Sequence, residues 1–396
     1  LLIVINVKYY GVACEVMLMD YGIMEHIETS GSHFEMGYTQ GEVLRESIKR
    51  SVEVITSLPA VRAMKPSFIP SRLFPLIAGS RVFKEFVSYM SFTPDVWKRF
   101  GGIVEGSGLS KEVHAFLHMG EVFLNRVAYE VSSDACTAVA FLPSLFGKMV
   151  VMKNFDYPPS IREFNLMRYS KPKDGIAAIE FTKTPVAITH DGMNEYGLVV
   201  TYNYASSIDS PQRGPMIGAL VSHILTHARN VDEALTIVMK YEYAPSAGIL
   251  LLADKKKAVA VEISPKMRMV RYPHSDTYIA HTNHFQIDEM ISHQIPWNAV
   301  FKSGPHRGKR ILESSLQRLA RIESLMEKGV ISSLDDVFML ARDHGEEKIP
   351  GNNTICRHGE PVSATIMSAI FVPEDGIVYY RGGNPCEGPY GQIAFK

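Results

Sequence analysis

The sequence changes character at Cys136, and that change limits the folds available to the chain. From Ser32 to Ser57 apolar residues recur at intervals of three and four, which predicts an amphipathic helix opened by Ser32 or a neighbour. Gly37 and Gly41, four apart, would let such a helix pack closely. Pro59, Pro66, Pro70 and Pro75 break the pattern, and further helical segments are expected at about 81–91 and 111–128. The first 130 residues are therefore expected to be mostly helical.

After Cys136 the text turns to short β-rich runs at 137–142, 148–153, 176–181, 185–190 and 197–203, separated by Gly, Pro, Asp and Asn. Helices are expected at about 216–229 and 231–241. Strands follow at 248–254, 258–263, 268–272 and 277–281, then helices at 308–328 and 333–343. A hairpin across the turn PEDG ends the series. Two sheets face to face, with helices outside both, would satisfy this order. The opening LLIVINV is apolar but interrupted by Lys8. Residues 1 to about 20 are expected to be peripheral, either an over-extended reading frame with Met17, Met19 or Met24 as the true start, or an edge strand.

Composition removes several function classes. With 41 basic residues against 42 acidic ones and no long basic run, nothing marks a nucleic-acid footprint. No stretch of eighteen apolar residues could span a bilayer, and no basic lead-in with a cleavage site marks a signal peptide, so the cytoplasm is the expected location. Asn352-Asn353-Thr354 would be a glycosylation acceptor in a secreted chain. Cys14, Cys136, Cys356 and Cys386 are too dispersed for a disulfide framework and are expected to be thiols. Cys356 and His358 lack a second pair at finger spacing, and His281, His284, His293 and His344 fit no zinc-protease spacing. Neither a metal nor a cofactor is expected.

A lone internal cysteine is most often a packing residue. Used as a nucleophile, Cys136 needs a base, and two sources are open. One is a histidine, with His281 and His284 of HTNHF available. The other is its own α-amine, freed by cutting the Ala135–Cys136 bond; an α-amine has a pKa of about 7.7–8.0 and can take the thiol proton near neutral pH. A folded, uncleaved, non-catalytic scaffold is the alternative from another class.

The sequence resembles the acyl-coenzyme A:6-aminopenicillanic acid acyltransferase-like group of N-terminal nucleophile hydrolases, related to choloylglycine hydrolases and acid-ceramidase-like amidases. The pieces that carry the resemblance are GSHFEMGYTQGEVL (31–44), EGSGL (105–109), DACT (134–137), KNFDYP (153–158), GMNEYGLVVTYN (192–203), HTNHF (281–285), SLQR (315–318), DHGEEKIPGNNTICRHG (343–359) and GNPC (383–386).

The resemblance implies an α+β, four-layer αββα sandwich made as a precursor that cuts itself before Cys136, leaving pieces 1–135 and 136–396. It implies Cys136 as nucleophile, Asp156 orienting the new α-amine, and Asn283 offering an amide to the developing oxyanion. Asn203 matches a second active-site asparagine, and Arg318 an arginine near the cysteine. Lys153 stands where the choloylglycine branch has arginine; it keeps a cation that favours thiolate but loses the planar fork. The penicillin enzyme carries Ser-Arg where this chain has Pro361 and Val362, which speaks against a penicillin nucleus as the natural substrate. The implied substrate is a non-peptide amide: an N-acyl amine, an acyl amino acid or a penicillin-like amide. Acyl-coenzyme A is a candidate acyl donor, and a homo-oligomer is compatible with the text.

Overall fold

The structure is a computed structural model that describes residues 3–9, 12–18, 22, 24–126, 129, 135–359 and 363–395. Asp134 of the DACT text, the proposed start Met19, and Pro361 and Val362 lie outside the described residues. Strands β1 (Ile3–Tyr9) and β2 (Val12–Leu18) pair antiparallel as a two-stranded sheet. Strand β3 (Glu25–Gly31) leads into the helical segment.

That segment holds α1 (His33–Val43), α2 (Arg45–Ser57), α3 (Pro59–Met64), α4 (Phe74–Met90), α5 (Pro94–Ser107), α6 (Lys111–His118) and α7 (Gly120–Arg126). Ser32 is the N-cap of α1: its hydroxyl accepts from the Glu35 backbone while the Glu35 carboxylate accepts from the Ser32 N–H. The helix expected over 32–57 is broken at Leu44, whose backbone leaves the helical region. Helices α1 and α5 pack glycine against glycine. A Cβ on Gly37 would fall 2.0 Å from the Arg99 carbonyl oxygen, and one on Gly106 2.2 Å from that of Tyr38.

After residue 135 come β4 (Ala135–Phe141), the short α8 (Pro143–Phe146), β5 (Val150–Tyr157), β6 (Asn165–Pro172), β7 (Ala178–Lys183), β8 (Asp191–Asn194) and β9 (Val199–Tyr204). Then follow α9 (Ile217–His227), α10 (Val231–Met239), β10 (Gly248–Ala253), β11 (Ala258–Ile263), β12 (Arg268–Arg271) and β13 (Tyr278–His281). The chain closes with α11 (Asp288–Ile291), α12 (Glu313–Glu327), α13 (Leu334–Ala341), β14 (Ala364–Val372), β15 (Ile377–Gly382) and β16 (Gly391–Ala394).

These strands form an eight-stranded sheet, β12-β11-β10-β9-β8-β7-β6-β3, and a six-stranded sheet, β13-β4-β5-β14-β15-β16. Neighbours are antiparallel except β3 and β6, which pair parallel. Between the sheets, Met167, Phe181 and Leu251 of one face Ala138, Phe155 and Phe371 of the other. Outside the larger sheet, α1–α7 bury a core with Ile27 and Leu166, and α9 and α10 cover the rest. Helices α12 and α13 cover the smaller sheet. The layers run helix, sheet, sheet, helix: the expected αββα sandwich.

One strand is missed by the sequence pattern and one expected strand is absent, each for an identifiable reason. Strand β6 escapes the sequence pattern because its text, NLMRYSKP, carries buried polar groups: Arg168 and Ser170 bond Glu180 of β7, and Arg99 of α5 completes an ion cluster with the same carboxylate at 2.9 Å. The expected strand 185–190 is a loop before β8. Its carbonyls at Val186, Ala187 and Ile188 accept from the Arg168 guanidinium, and that of Val186 also from Gln40, so ladder partners are not needed. Among the described residues no helix is long and apolar enough to cross a membrane.

Candidate active site

Strand β4 begins beside the C-terminal half of β5, with Ala135 opposite Asp156 and Cys136 opposite Phe155. Cys136 is buried between the sheets. Its backbone N–H donates to Asn283 Oδ1 at 2.8 Å, and its carbonyl accepts from Arg318 Nη1 at 2.5 Å. Arg318, fully buried on α12, also donates to Thr137 Oγ1 at 2.7 Å and to Asn283 Oδ1 at 2.8 Å. Two donors therefore converge on the Asn283 oxygen, which fixes the orientation of the amide. Its Nδ2 is engaged by the Tyr204 carbonyl at 2.8 Å. The family resemblance has this side chain offer its amide N–H to an oxyanion; the structure turns its oxygen toward Cys136.

Asp156, at the end of β5, is buried, accepts from Thr365 Oγ1 at 2.7 Å and lies 3.5 Å from Arg357 Nη1. Burial pushes its carboxyl upward, against the pull of Arg357 and Arg318. Lys153, also on β5, points to the facing sheet. Its ammonium donates to the Tyr202 carbonyl at 2.6 Å and to Asn203 Oδ1, and lies 3.5 Å from Asp191 Oδ1. Asn203 Nδ2 donates to the Thr282 carbonyl at 2.8 Å. Burial raises the Cys136 thiol to about 11, with Lys153 and the Asp156 backbone pulling the other way.

A thiol held that high needs a base to act near neutral pH. His281 is fully buried with neither ring nitrogen hydrogen-bonded among the described residues, and burial holds its pKa well below the usual value. His284 directs Nδ1 to Ser315 Oγ at 2.7 Å, and burial lowers it to about 4. The other two histidines considered as metal ligands go to different places: His293 to Asp209 at 2.7 Å, and His344 to His358 at 3.1 Å.

Cys136 opens onto a cavity of about 340 Å³. Its walls are mostly apolar, with Leu58 and Val61 from the α2–α3 region, Phe116 and Leu117 from α6, and Ile161 and Ile188 from the loops beyond β5 and β7. The helical N-terminal segment thus forms the roof over the cysteine. Glu121 also lines the cavity, and burial raises it to about 7 although it accepts from the Ile217 N–H at 3.0 Å.

Residues 146–387 match the model of the acyl-coenzyme A:6-aminopenicillanic acid acyltransferase family, which is more than half of the chain. The chain belongs to that family. The match contains Lys153, Asp156, Asn203, Asn283 and Arg318, while Cys136 stands upstream of it. Among solved structures the chain is similar to a mutant of conjugated bile acid hydrolase from Clostridium perfringens, at 13% identity over 66% of this chain and 97% of that one, TM-score 0.38. It is also similar to the Caenorhabditis elegans ortholog of N-acylethanolamine-hydrolyzing acid amidase, at 12% identity over 60% and 93%, TM-score 0.40. Penicillin V acylase from Agrobacterium tumefaciens matches at 12% over 66% and 86%, TM-score 0.38. As a member of the acyltransferase family, the chain is an amide hydrolase or acyltransferase of the N-terminal nucleophile type.

Sequence reasoning missed three residues of this family member's site. Arg357 and Thr365 hold Asp156, and Asp191 faces Lys153. Arg357 lies inside the ICRH text, where only the flanking Cys356 and His358 stand out by residue type. Asp191 has a usable signal, an acid within an otherwise β-rich run, which in a buried strand requires a cation.

Proposed function

We propose that the chain is a self-cleaving amidohydrolase or acyltransferase with Cys136 as its N-terminal nucleophile, acting on a non-peptide amide that carries an apolar acyl group. The observation that supports this most is the position of Cys136, which lines a mostly apolar cavity and has its nitrogen on a fixed carboxamide oxygen. Neither His281 nor His284 is hydrogen-bonded to the thiol among the described residues, which favours the nitrogen of Cys136 itself as the base.

In the precursor the Cys136 sulfur attacks the Ala135 carbonyl carbon, the Ala135–Cys136 C–N bond breaks, and the nitrogen leaves as an amine with a proton gained. The thioester so formed is opened by water, giving the Ala135 carboxylate and a free Cys136 thiol. Arg318 on the Cys136 carbonyl and Asn283 on its nitrogen hold the residue for this step. In the mature protein the amine takes the thiol proton, the thiolate attacks the substrate amide, and the leaving amine departs with that proton. Water resolves the new thioester in hydrolysis; a second amine resolves it in acyl transfer. Asp156 and Arg357 set the field around the amine, and Lys153 favours the thiolate. Pieces 1–135 and 136–396 stay together, because β3 is an edge strand of the larger sheet and α1–α7 pack on its face.

The test is a panel of N-acyl amines and acyl amino acids of increasing chain length, with intact-mass analysis during turnover. The reading expects release of the amine and an acyl adduct on the piece that begins at Cys136. Amide cleavage without any adduct on that piece, or no cleavage across the panel, would contradict it.

A further inference from the structure

The loop that brings Arg357 to Asp156 also gathers four metal-type donors. Spacing alone makes Cys356 and His358 a lone pair, but the fold supplies a second pair: His344, just after α13, and Cys386, in the 3-10 turn Pro385–Glu387 after β15. Cys356 Sγ is 3.6 Å from Cys386 Sγ, Cys386 Sγ is 3.3 Å from His358 Nε2, and His358 Nε2 is 3.1 Å from His344 Nε2. All four donor atoms lie within 4.8 Å of one another. A tetrahedral zinc ion, with Zn–S of about 2.3 Å and Zn–N of about 2.0–2.1 Å, sets its ligand atoms about 3.3–3.8 Å apart. The two sulfurs are free thiols, well beyond the bond length of about 2.05 Å in a disulfide.

The three ligand segments are held by hydrogen bonds independent of any ion. Asn154 on β5 donates to the Ala341 and Ile355 carbonyls at 2.9 and 3.0 Å, pinning both stems of the loop to the sheet. The Cys356 N–H donates to the Asp343 carbonyl at 3.0 Å. Arg342 ties the end of α13 to the Cys386 turn, through the Pro385 carbonyl at 3.0 Å and that of Gly388 at 3.3 Å. Cys356 is buried and the other three donors are half-buried, which leaves a path for a small cation.

We propose that His344, Cys356, His358 and Cys386 form a Cys2His2 site for a divalent metal ion, with zinc favoured by the donor set. Four protein ligands leave no open position, so the site is structural rather than catalytic. On binding, both thiols give up their protons and the four side chains close on the ion. Its consequence lies at Arg357, between two ligands: fixing Cys356 and His358 fixes the guanidinium beside Asp156 and the Arg357 N–H that donates to Thr365 Oγ1 at 2.9 Å. Formation of the site does not require the proposed self-cleavage.

The test is a titration of the reduced, chelator-treated full chain with cobalt(II) alone, followed by zinc(II). The expected result is a single equivalent bound, with a thiolate-to-cobalt charge-transfer band in the near ultraviolet and the visible bands of tetrahedral cobalt, all erased by zinc. Zinc should also raise the melting temperature of the wild type. Cys386→Ser should weaken the charge-transfer band, and Cys356→Ser with Cys386→Ser should abolish it. The grouping of Asp95 with His223 and His227 has no sulfur and cannot give the charge-transfer band. Cobalt without a sulfur band in wild-type protein shown folded by circular dichroism would overturn the proposal. So would a Cys356–Cys386 disulfide in protein isolated under reducing conditions.

Discussion

The Cys136 backbone nitrogen and the Asn283 side-chain oxygen are 2.8 Å apart, and Arg318 donates to the same oxygen. A carboxamide oxygen held between two donors fixes the nitrogen opposite it, whether that nitrogen is a peptide N–H or the ammonium of a mature N-terminus. Asn283→Ala is expected to slow both self-cleavage and turnover by about tenfold to a hundredfold, matching a charge-assisted hydrogen bond of about 1.5–3 kcal/mol. Time courses of chain cleavage and of amide hydrolysis measure both; loss of turnover with unaltered cleavage would return Asn283 to a role on the substrate alone.

The cavity beside Cys136 should set acyl length. Ile188→Phe adds volume to the wall of a space of about 340 Å³. The variant is expected to raise KM for long acyl chains while leaving kcat/KM for short ones near the wild-type value. Equal losses for all chain lengths would mean that the acyl group binds elsewhere.

Glu121 gives a pH signature. Burial raises its carboxyl from 4.5 to about 7, so the folded chain holds a proton there that the unfolded chain releases. Its contribution to stability is present below about 4.5 and is lost as pH rises through about 7. Glu121→Gln keeps the neutral form at every pH. The melting-temperature difference, wild type minus variant, should therefore fall between pH 5 and pH 8; a flat difference would place the carboxyl at its ordinary value.

Glu180 behaves in the opposite sense. Burial alone would raise it, but Arg168 and Arg99 with the Ser170 and Thr189 hydroxyls bring it to about 2. Its stabilisation is present above the ordinary 4.5 and is lost as pH falls through about 2. Glu180→Gln leaves two buried guanidinium groups short of a counter-charge and should cost about 3–5 kcal/mol. Urea unfolding at pH 7 measures this, and a loss below about 1 kcal/mol would show that the cluster is dispensable.

The layered architecture was legible because hydrophobic periodicity reports which face of an element is buried, and the switch at Cys136 separates helix from sheet text. Strand β6 was not legible, because Arg168 looks exposed until Glu180 is brought to it by pairing across β6 and β7. Within the candidate site, Cys136, Asp156, Asn203, Asn283, Lys153 and Arg318 were singled out through the family resemblance, not by residue type alone. Which atom of Asn283 meets Cys136 could not, since side-chain orientation follows from partners, here Arg318 and the Tyr204 carbonyl, that lie far along the chain. The grouping of Cys386 with His344, Cys356 and His358 was hidden for the same reason: β14 and β15 separate it from them along the chain, and the hairpin brings it back.

The most direct measurement is the intact mass and amino-terminal sequence of the purified protein beside its Cys136→Ala variant. Wild type is expected as two associated pieces, the larger beginning Cys-Thr-Ala-Val, and the variant as one inactive chain of 44.2 kDa. An active wild type that remains a single chain, or one cut at any bond other than Ala135–Cys136, would contradict the account.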